Sequence, residues 1–421
     1  MKILVIGGGA REHTLVWKLA QSPKAGEVYV APGNAGTAQI AQNLAINPTD
    51  IESLVKVALE KRIDLTVVGP EAPLASGIVD KFQEKGIPIF GSTKRAAEIE
   101  TSKVFAKELM QKYNIPCAKS VSFSSYTEAR EYLKKQKPPI VVKADGLAAG
   151  KGVTVAETTE QALEALSSIM EAKIFGAAGD RVLIEEKLGG REMSAFAFTD
   201  GHSIAPMLPA CDYKPVFDGN RGANTGGLGS YSPPYFYNPA LAKKVTETIM
   251  EPTVKALRDE GRPYKGVLYG GLMITSDGPR VMEFNARFGD PETQVVLPLL
   301  KADLVDIMLS VVNNNLNQIG IEWSQDACVG VVMASGGYPG SYKTGFLITG
   351  LDSLDEDILV FHAGTKLSSE AEVLTSGGRV LTVVATGKTI AEAREKVYNN
   401  ISRIHFEGCH YRKDIAQIEV R

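Results

Sequence analysis

Cysteine is scarce in this chain: four residues in 421, at 117, 211, 328 and 409, with no metal-ligand spacing between them. They read as reduced thiols of a cytosolic protein, and a disulfide framework is excluded. Histidine is sparse too, at five residues, and no Ser/His/Asp or Cys/His nucleophile constellation can be assembled from the sequence. Charge of one sign is not in excess. The 46 Lys and Arg against 49 Asp and Glu leave a net −3, which gives no electrostatic footprint for nucleic acid or an anionic membrane. No apolar run approaches the roughly 20 residues of a membrane span. MKILVIG runs directly into a strand pattern, so no cleavable leader is expected. Internal repeats and low-complexity segments are also missing. Glycine, by contrast, is abundant at 41 residues, which predicts many tight turns in an ordinary globular chain.

At roughly 150 residues per domain, the length suggests about three domains. One stretch organises the reading. Ile140-Val141-Val142, after Pro139, predicts a short buried strand that ends at Lys143, and Val153-Thr154-Val155 predict a second. Between them Asp145–Gly152 carries no bulky side chain except Leu147, so its backbone N–H groups can approach an anion. Lys143 and Lys151 add charge for phosphates. This is not a Walker A loop, in which Gly-Lys-Ser/Thr opens a helix; here Gly152 and Val153 lead into a strand.

From the N-terminus, residues 2–6 predict a buried parallel strand, and Gly7-Gly8-Gly9 opens a helix whose first turn is an anion site. Strands at 28–30, 64–68 and 87–90 all end in loops of Gly, Pro and small polar residues, at the edge where open parallel sheets bind ligands. A dinucleotide fingerprint would need glycine where Glu12 stands, and an acid after the second strand, where Ala31-Pro32-Gly33 stands. A nicotinamide or flavin enzyme is therefore disfavoured.

A helix over 101–114 carries Lys103. Residues 119–190 alternate between strands and helices as a compact α+β unit. Asp212–Pro234 shows no core pattern and predicts a ligand-wrapping loop. Tyr264–Thr275 and Pro279–Asn285 predict a hairpin, and 327–421 a further small α/β module in which His362–Thr365 and Gly377–Val380 are turns that can face a substrate. In a strand, i and i+2 share a face, so Glu283 and Asn285 point the same way. Two hard oxygen ligands on one face suit Mg²⁺, which takes its other oxygens from phosphate and water. Phosphate-binding lysines, a glycine loop and a metal pair together fit phosphoryl transfer.

The chain resembles the ATP-grasp superfamily and, within it, the glycinamide ribonucleotide synthetase (phosphoribosylamine–glycine ligase) family. The resemblance is carried by VIGGGAREH (5–13), APGNAGT (31–37), VGPEAPL (68–74), VKADGLAAGKGV (142–153), NTGGLGSYSP (224–233), EFNARFGDPETQ (283–294), FHAGT (361–365) and GGRV (377–380), in that order over nearly the whole chain. It implies an α/β, ATP-grasp architecture in four parts: an N-terminal doubly wound parallel-sheet domain binding substrate (1–102), a small α+β lid subdomain with its leading helix (103–190), a central ATP subdomain (191–326) and a small C-terminal α/β domain (327–421). It also implies ligation of glycine to 5-phosphoribosylamine through a glycyl phosphate, with ATP as co-substrate and Mg²⁺ or Mn²⁺, in purine synthesis.

By the same resemblance, Lys103 and Lys143 contact ATP phosphates, and the loop bearing Gly146, Gly150, Lys151 and Gly152 closes over them. Glu185, Glu186 and Leu188 line the adenine, and Glu192 holds the ribose. Glu283 and Asn285 bind the metal, and Arg287 stabilises the acyl phosphate. Gly9, Asn34, Pro70 and Glu71, with Asn224, Thr225 and Gly226, lie near phosphoribosylamine, whose phosphate the Gly9 loop is expected to hold. Asp212 and Lys214 lie near the reacting centre. Where the family reads Gln-Asp-His-Lys-Arg and Gly-Pro-Asn-Thr-Gly-Gly-Met-Gly, this chain has Tyr213, Pro215, Ala223 and Leu228, but keeps the Asp, the Lys and the Asn-Thr-Gly-Gly core. A cytoplasmic monomer without nucleic-acid or membrane partners is expected. Two alternatives stay open. Another ATP-grasp carboxylate ligase of purine synthesis should lack APGNAGT and FHAGT. A non-catalytic nucleotide-binding protein would not need Arg287 or the Glu283/Asn285 pair.

Overall fold

The computed structural model describes residues 1–147 and 152–417. The apolar run Lys2–Gly7 forms the middle of a five-stranded sheet, buried on both faces. It pairs in parallel with Glu27–Pro32 on one side and Leu65–Val68 on the other, with Gln42–Asn43 and Ile89–Phe90 at the edges. Successive strands are added first on one side and then on the other, so the order reverses between Lys2–Gly7 and Leu65–Val68. In such sheets the crevice at that reversal, at the strands' carboxyl ends, is where ligands sit. Helix Ala10–Leu19 starts there.

The predicted helix over 101–114 is Lys103–Lys112, and a separate helix, Lys94–Thr101, precedes it. Ser102 interrupts them with extended backbone and caps the second by accepting the Phe105 N–H at 3.1 Å. Asp145 ties this cap to the next unit, because its carboxylate accepts the Val104 N–H at 3.1 Å. That unit is a four-stranded antiparallel sheet of Ser120–Phe123, Val182–Glu186, Ile140–Ala144 and Val153–Ala156, with helices Tyr126–Leu133 and Thr159–Met170 packed on it. Leu133, Val142, Leu166 and Ile184 belong to its own buried cluster.

A second antiparallel sheet holds Ile204–Pro206, Arg191–Asp200, Lys265–Thr275 and Gly278–Asn285, the last two forming the predicted hairpin. This central sheet shares its core with the N-terminal sheet: Ile3, Val5, Phe198, Val267 and Met308 lie in one buried cluster.

The stretch 212–234 is more ordered than its composition predicts. Cys211–Asp212 and Gly229–Ser232 join Ala327–Ala334, Arg379–Gly387 and Leu359–His362 in a five-stranded sheet, and Pro215–Phe217 pairs with Arg221–Asn224. Gly229–Ser232 is fully buried against Ala327–Ala334, with Ser230 opposite Gly330. These partners lie far apart in the chain, so no local alternation announces them. Helix Ile390–Ile401 packs on the same sheet through Ala393, Val397 and Ile401.

The first and last parts of the chain meet at two histidines. The His362 N–H donates to His13 Nδ1 at 2.8 Å, and the Asn34 amide donates to the His362 carbonyl at 2.7 Å. Both imidazoles are buried. Burial, with the other ring adding to it for His13, pushes His13 down to about 3 and His362 down to about 4, from an ordinary 6.5. Unfolded histidines take up protons below about 6.5, whereas these two stay neutral, so acid favours the unfolded chain. The stability they contribute is complete above pH 6.5 and is lost as the pH falls toward 4, at a limiting slope of about 1.4 kcal/mol per pH unit per histidine. Urea unfolding followed from pH 7 to 4.5 should show this loss, and His13→Gln should flatten it. An equal slope in the variant would exclude the pair as its source.

Candidate active site

One cleft of about 450 Å³ collects side chains from all these sheets. At one end stand Lys103 and Lys143. Lys103 Nζ, in the first turn of its helix, donates to the Gly146 carbonyl at 2.7 Å. Lys143 Nζ, at the end of its strand, donates to the Met282 carbonyl at 3.0 Å and pairs with Glu185 Oε2 at 2.8 Å. The other Glu185 oxygen lies 3.0 Å from Lys107 Nζ, in an ion pair whose angles fall short of a hydrogen bond. Gly146, Gly152 and Leu183 complete this end.

Glu283 and Asn285 stand on one face of the Gly278–Asn285 strand, beside these lysines. Opposite Glu283 is Gly271, where even a Cβ would lie 3.3 Å from Glu283 Cγ, so the neighbouring strand leaves the carboxylate room. Burial would raise the Glu283 carboxyl, but Lys143, Lys214, Lys103 and Arg287 outweigh it and hold it below the usual range. An ionised carboxylate next to an amide oxygen fits a divalent cation that draws its remaining oxygens from a ligand. Among the described residues there is no cluster of three or more His, Cys, Asp or Glu able to hold a metal alone.

In the middle of the cleft Arg287 is half-buried, and each of its three nitrogens has a partner. Nε meets Glu71 Oε2 at 3.2 Å, Nη2 meets Glu100 Oε1 at 3.2 Å, and Nη1 donates to the Phe288 carbonyl at 3.3 Å. Facing it, Lys214 Nζ bridges Asp212 Oδ1 at 3.1 Å and Glu192 Oε2 at 3.0 Å. Burial, helped by Glu292 and Glu192 and opposed by Lys214, pushes the Asp212 carboxyl up to about 6. Glu292 is itself buried and accepts from Tyr269 Oη at 2.7 Å and Ser194 Oγ at 3.1 Å.

The crevice of the N-terminal sheet opens onto the same cleft through Pro70, Glu71 and Arg11. Here the structure departs from the expected phosphate loop. The Gly9 N–H donates to Glu12 Oε2 at 2.6 Å, and Glu12 Oε1 accepts from Arg11 Nε at 2.6 Å. Glu12 is buried and leaves no room for a Cβ on Gly7 or Gly69. The sixth residue of the glycine run thus fills the crevice with a carboxylate, and the helix start is already capped.

Of the residues singled out from sequence, Pro70, Glu71, Lys103, Lys143, Gly146, Gly152, Glu185, Asp212, Lys214, Thr225, Gly226, Glu283, Asn285 and Arg287 line this cleft. Glu192 does not line it but reaches in through Lys214. Gly9, Glu186, Leu188 and Asn224 stand outside its walls. Asn34 lies behind it, its amide engaged with the Gly8 and His362 carbonyls and its oxygen with the Gly36 and Thr37 N–H groups. Gly150 and Lys151 lie outside the described residues.

Sequence reasoning missed Arg11, Glu100, Lys107, Asp290, Glu292 and Tyr338, all of which line the cleft, as does Arg379 from the 377–380 turn expected to face a substrate. Lys107 was within reach, because it stands one helical turn after Lys103 on the same face. Asp290 and Glu292 follow the last residue of a strand, where the two-residue alternation that exposed Glu283 and Asn285 no longer applies. Glu100 has no local signal; its partner is Arg287.

The chain matches three family profiles in order: the phosphoribosylglycinamide synthetase N domain over residues 1–100, its ATP-grasp (A) domain over 101–293 and its C domain over 328–418. It is 52% identical to a phosphoribosylamine–glycine ligase of Halalkalibacterium halodurans, covering 99% of this chain and 96% of that protein. It is 49% identical to the one from Escherichia coli K12, covering 99% and 98%. A solved phosphoribosylamine–glycine ligase from Thermotoga maritima superposes with a TM-score of 0.86 at 35% identity, covering 99% of this chain and 100% of that one. Biotin carboxylase from Campylobacter jejuni, at 13% identity and a TM-score of 0.75 over 97% and 92% of the two chains, shares the fold.

The Arg287 clamp has a measurable weight. Glu100 is buried and also accepts the Ala286 N–H at 2.7 Å. Glu100→Ala leaves a half-buried guanidinium with one carboxylate partner and a buried N–H with none. Breaking a buried pair in this way costs about 3–5 kcal/mol. A urea-unfolding loss below about 1 kcal/mol would mean that water already screens the pair.

Proposed function

The chain belongs to the phosphoribosylglycinamide synthetase family and catalyses the ATP-dependent ligation of glycine to 5-phosphoribosylamine in purine synthesis, and on that premise we propose how its residues divide the work. ATP is the co-substrate, used with Mg²⁺ or Mn²⁺. A glycine carboxylate is a poor electrophile. Transfer of the γ-phosphoryl group to one of its oxygens forms an acyl phosphate and releases ADP. The 1-amino group of phosphoribosylamine then attacks the carbonyl carbon, the bond to the phosphate oxygen breaks, and the amine loses a proton. Both partners must be held in line and water kept out, since water would hydrolyse the intermediate.

Lys103 and Lys143 take the ATP phosphates, exchanging the Gly146 and Met282 carbonyls for stronger charge-assisted bonds. The loop with Gly146, Gly150, Lys151 and Gly152 covers them. Glu185, Glu186 and Leu188 face the adenine, and Glu192 faces the ribose. Glu283 and Asn285 hold the divalent cation, which neutralises phosphate charge when bound. Arg287 stabilises the acyl phosphate. Asp212, beside Lys214, accepts the amine proton. Pro70, Glu71, Thr225 and Gly226 surround the phosphoribosylamine; Gly9 and Asn224 lie next to them, and Asn34 holds the 31–37 loop in place from behind. The functional units are 1–102, 103–190, 191–326 and 327–421. We assign the enzyme to the cytoplasm as a monomer, without nucleic-acid or membrane partners. The net charge of −3 and the four free cysteines support this, and no helix among the described residues is long and apolar enough to cross a membrane.

One observation carries the residue assignments: Lys103, Lys143, the Glu283/Asn285 pair and Arg287, from separate segments, converge on one cleft with Asp212 and Glu71. ADP release should require both glycine and phosphoribosylamine at full rate. Glu283→Ala should abolish it while leaving the fold intact; near-normal turnover would move the cation elsewhere. The rate at subsaturating phosphoribosylamine should fall as pH drops through about 6, because a protonated Asp212 accepts nothing. Asp212→Asn should be slow and lack that limb. The same limb persisting in the variant would assign it to another group.

A further inference from the structure

The established reaction needs a place for the 5-phosphate of the sugar, and the start of helix Ala10–Leu19 does not offer one. Glu12 and Arg11 are paired there, and the Gly9 N–H is already taken. A phosphate at this point would meet a buried carboxylate. The remaining cations of the cleft are committed elsewhere. Lys103 and Lys143 stand at the nucleotide end, Lys107 is paired with Glu185, Lys214 is held between Asp212 and Glu192, and every Arg287 nitrogen has a partner.

Arg379 differs. It opens the Arg379–Gly387 strand and reaches the cleft from the C-terminal sheet. Its Nη1 donates to the Gly226 carbonyl at 2.7 Å and the Asp290 carbonyl at 2.8 Å, which fixes the plane of the guanidinium. Asp290 Oδ1 lies 3.3 Å from the same nitrogen. Among the described residues, Nε and Nη2 have no hydrogen-bond partner. Gly226 keeps the adjacent face open, because a Cβ there would lie 3.0 Å from Arg379 Cζ. Tyr338 Oη accepts the Gly226 N–H at 3.1 Å, so its own proton is free to donate into the same corner. Two N–H-bearing nitrogens on a fixed planar fork and one hydroxyl suit a tetrahedral dianion.

We propose that Arg379, with Tyr338, binds the 5-phosphate of phosphoribosylamine, so that the C-terminal module holds the phosphate while the part of the cleft lined by Pro70 and Glu71 receives the rest of the sugar. This assignment rests on the ligase reading and adds the orientation of the acceptor within it. The Gly9 loop then borders the sugar and does not hold the phosphate.

The test compares binding of the ribotide product, glycinamide ribonucleotide, with that of its dephosphorylated riboside, by calorimetry on wild-type protein and on Arg379→Gln. Losing hydrogen bonds to a charged group should weaken the ribotide about 10- to 150-fold. The riboside and Mg·ATP should bind as in wild type. Arg379→Lys, which retains the charge, should recover part of the ribotide affinity, and it replaces the Gln variant if that protein fails to bind Mg·ATP. Unchanged ribotide affinity, or an equal loss for ribotide and riboside, overturns the phosphate assignment while leaving the ligase reading standing. Failure of the wild-type protein to bind the ribotide at all overturns both.

Discussion

A cation taken out of water has to be paired, and the cleft of this protein is organised by that requirement. Arg287 is held by Glu71 and Glu100, Lys143 by Glu185, and Lys214 by Asp212 and Glu192. Lys143 and Glu185 meet across one sheet, whereas Arg287 and Lys214 draw Glu71, Glu100 and Glu192 from other parts of the chain and so fix one part against another. Glu71 opens the short helix Glu71–Ala75 of the N-terminal unit, Glu100 belongs to the helix before the lid unit, and Arg287 lies just past the central hairpin. Removing one member exposes the cost of the other, and this makes the assembly specific more than it makes it stable.

The same pairing prepares the site for ligands. A lysine bonded to a carbonyl is already desolvated and aimed, and exchanging that carbonyl for phosphate strengthens its bond without a new burial cost. Glu283 works in the opposite sense. Lysines 103, 143 and 214 and Arg287 hold it ionised despite its burial, which is the state a divalent cation needs. Asp212 sits among Glu192 and Glu292, and so comes to a value near which it can take up a proton.

The C-terminal module is part of this arrangement. Its sheet takes in Cys211–Asp212 and Gly229–Ser232 from the central part of the chain, so the segment bearing Asp212, Lys214, Thr225 and Gly226 is anchored at both ends. His13 and His362 join it to the N-terminal sheet by a hydrogen bond between neutral groups, which adds no charge to a core that already holds many.

By itself the sequence determined the elements and much of the chemistry. The β-branched run at Ile140–Val142, the apolar KILVI run and the two-residue spacing of Glu283 and Asn285 are local patterns, and local patterns follow from backbone geometry. Lys143 was legible because it stands at the end of such an element, whereas Lys103, one charge on a helix, came only with the family resemblance. Tertiary structure alone decided which charges meet. Glu100 finds Arg287, Arg379 finds Gly226 and Asp290, and Gly229–Ser232 finds Ala327–Ala334, all across long stretches of chain. It also decided that Glu12, which the sequence marks only as a missing glycine, turns an anion site at a helix start into a carboxylate-filled crevice. Such outcomes depend on which surfaces the packed sheets bring within hydrogen-bond distance, and no periodicity along one segment encodes that.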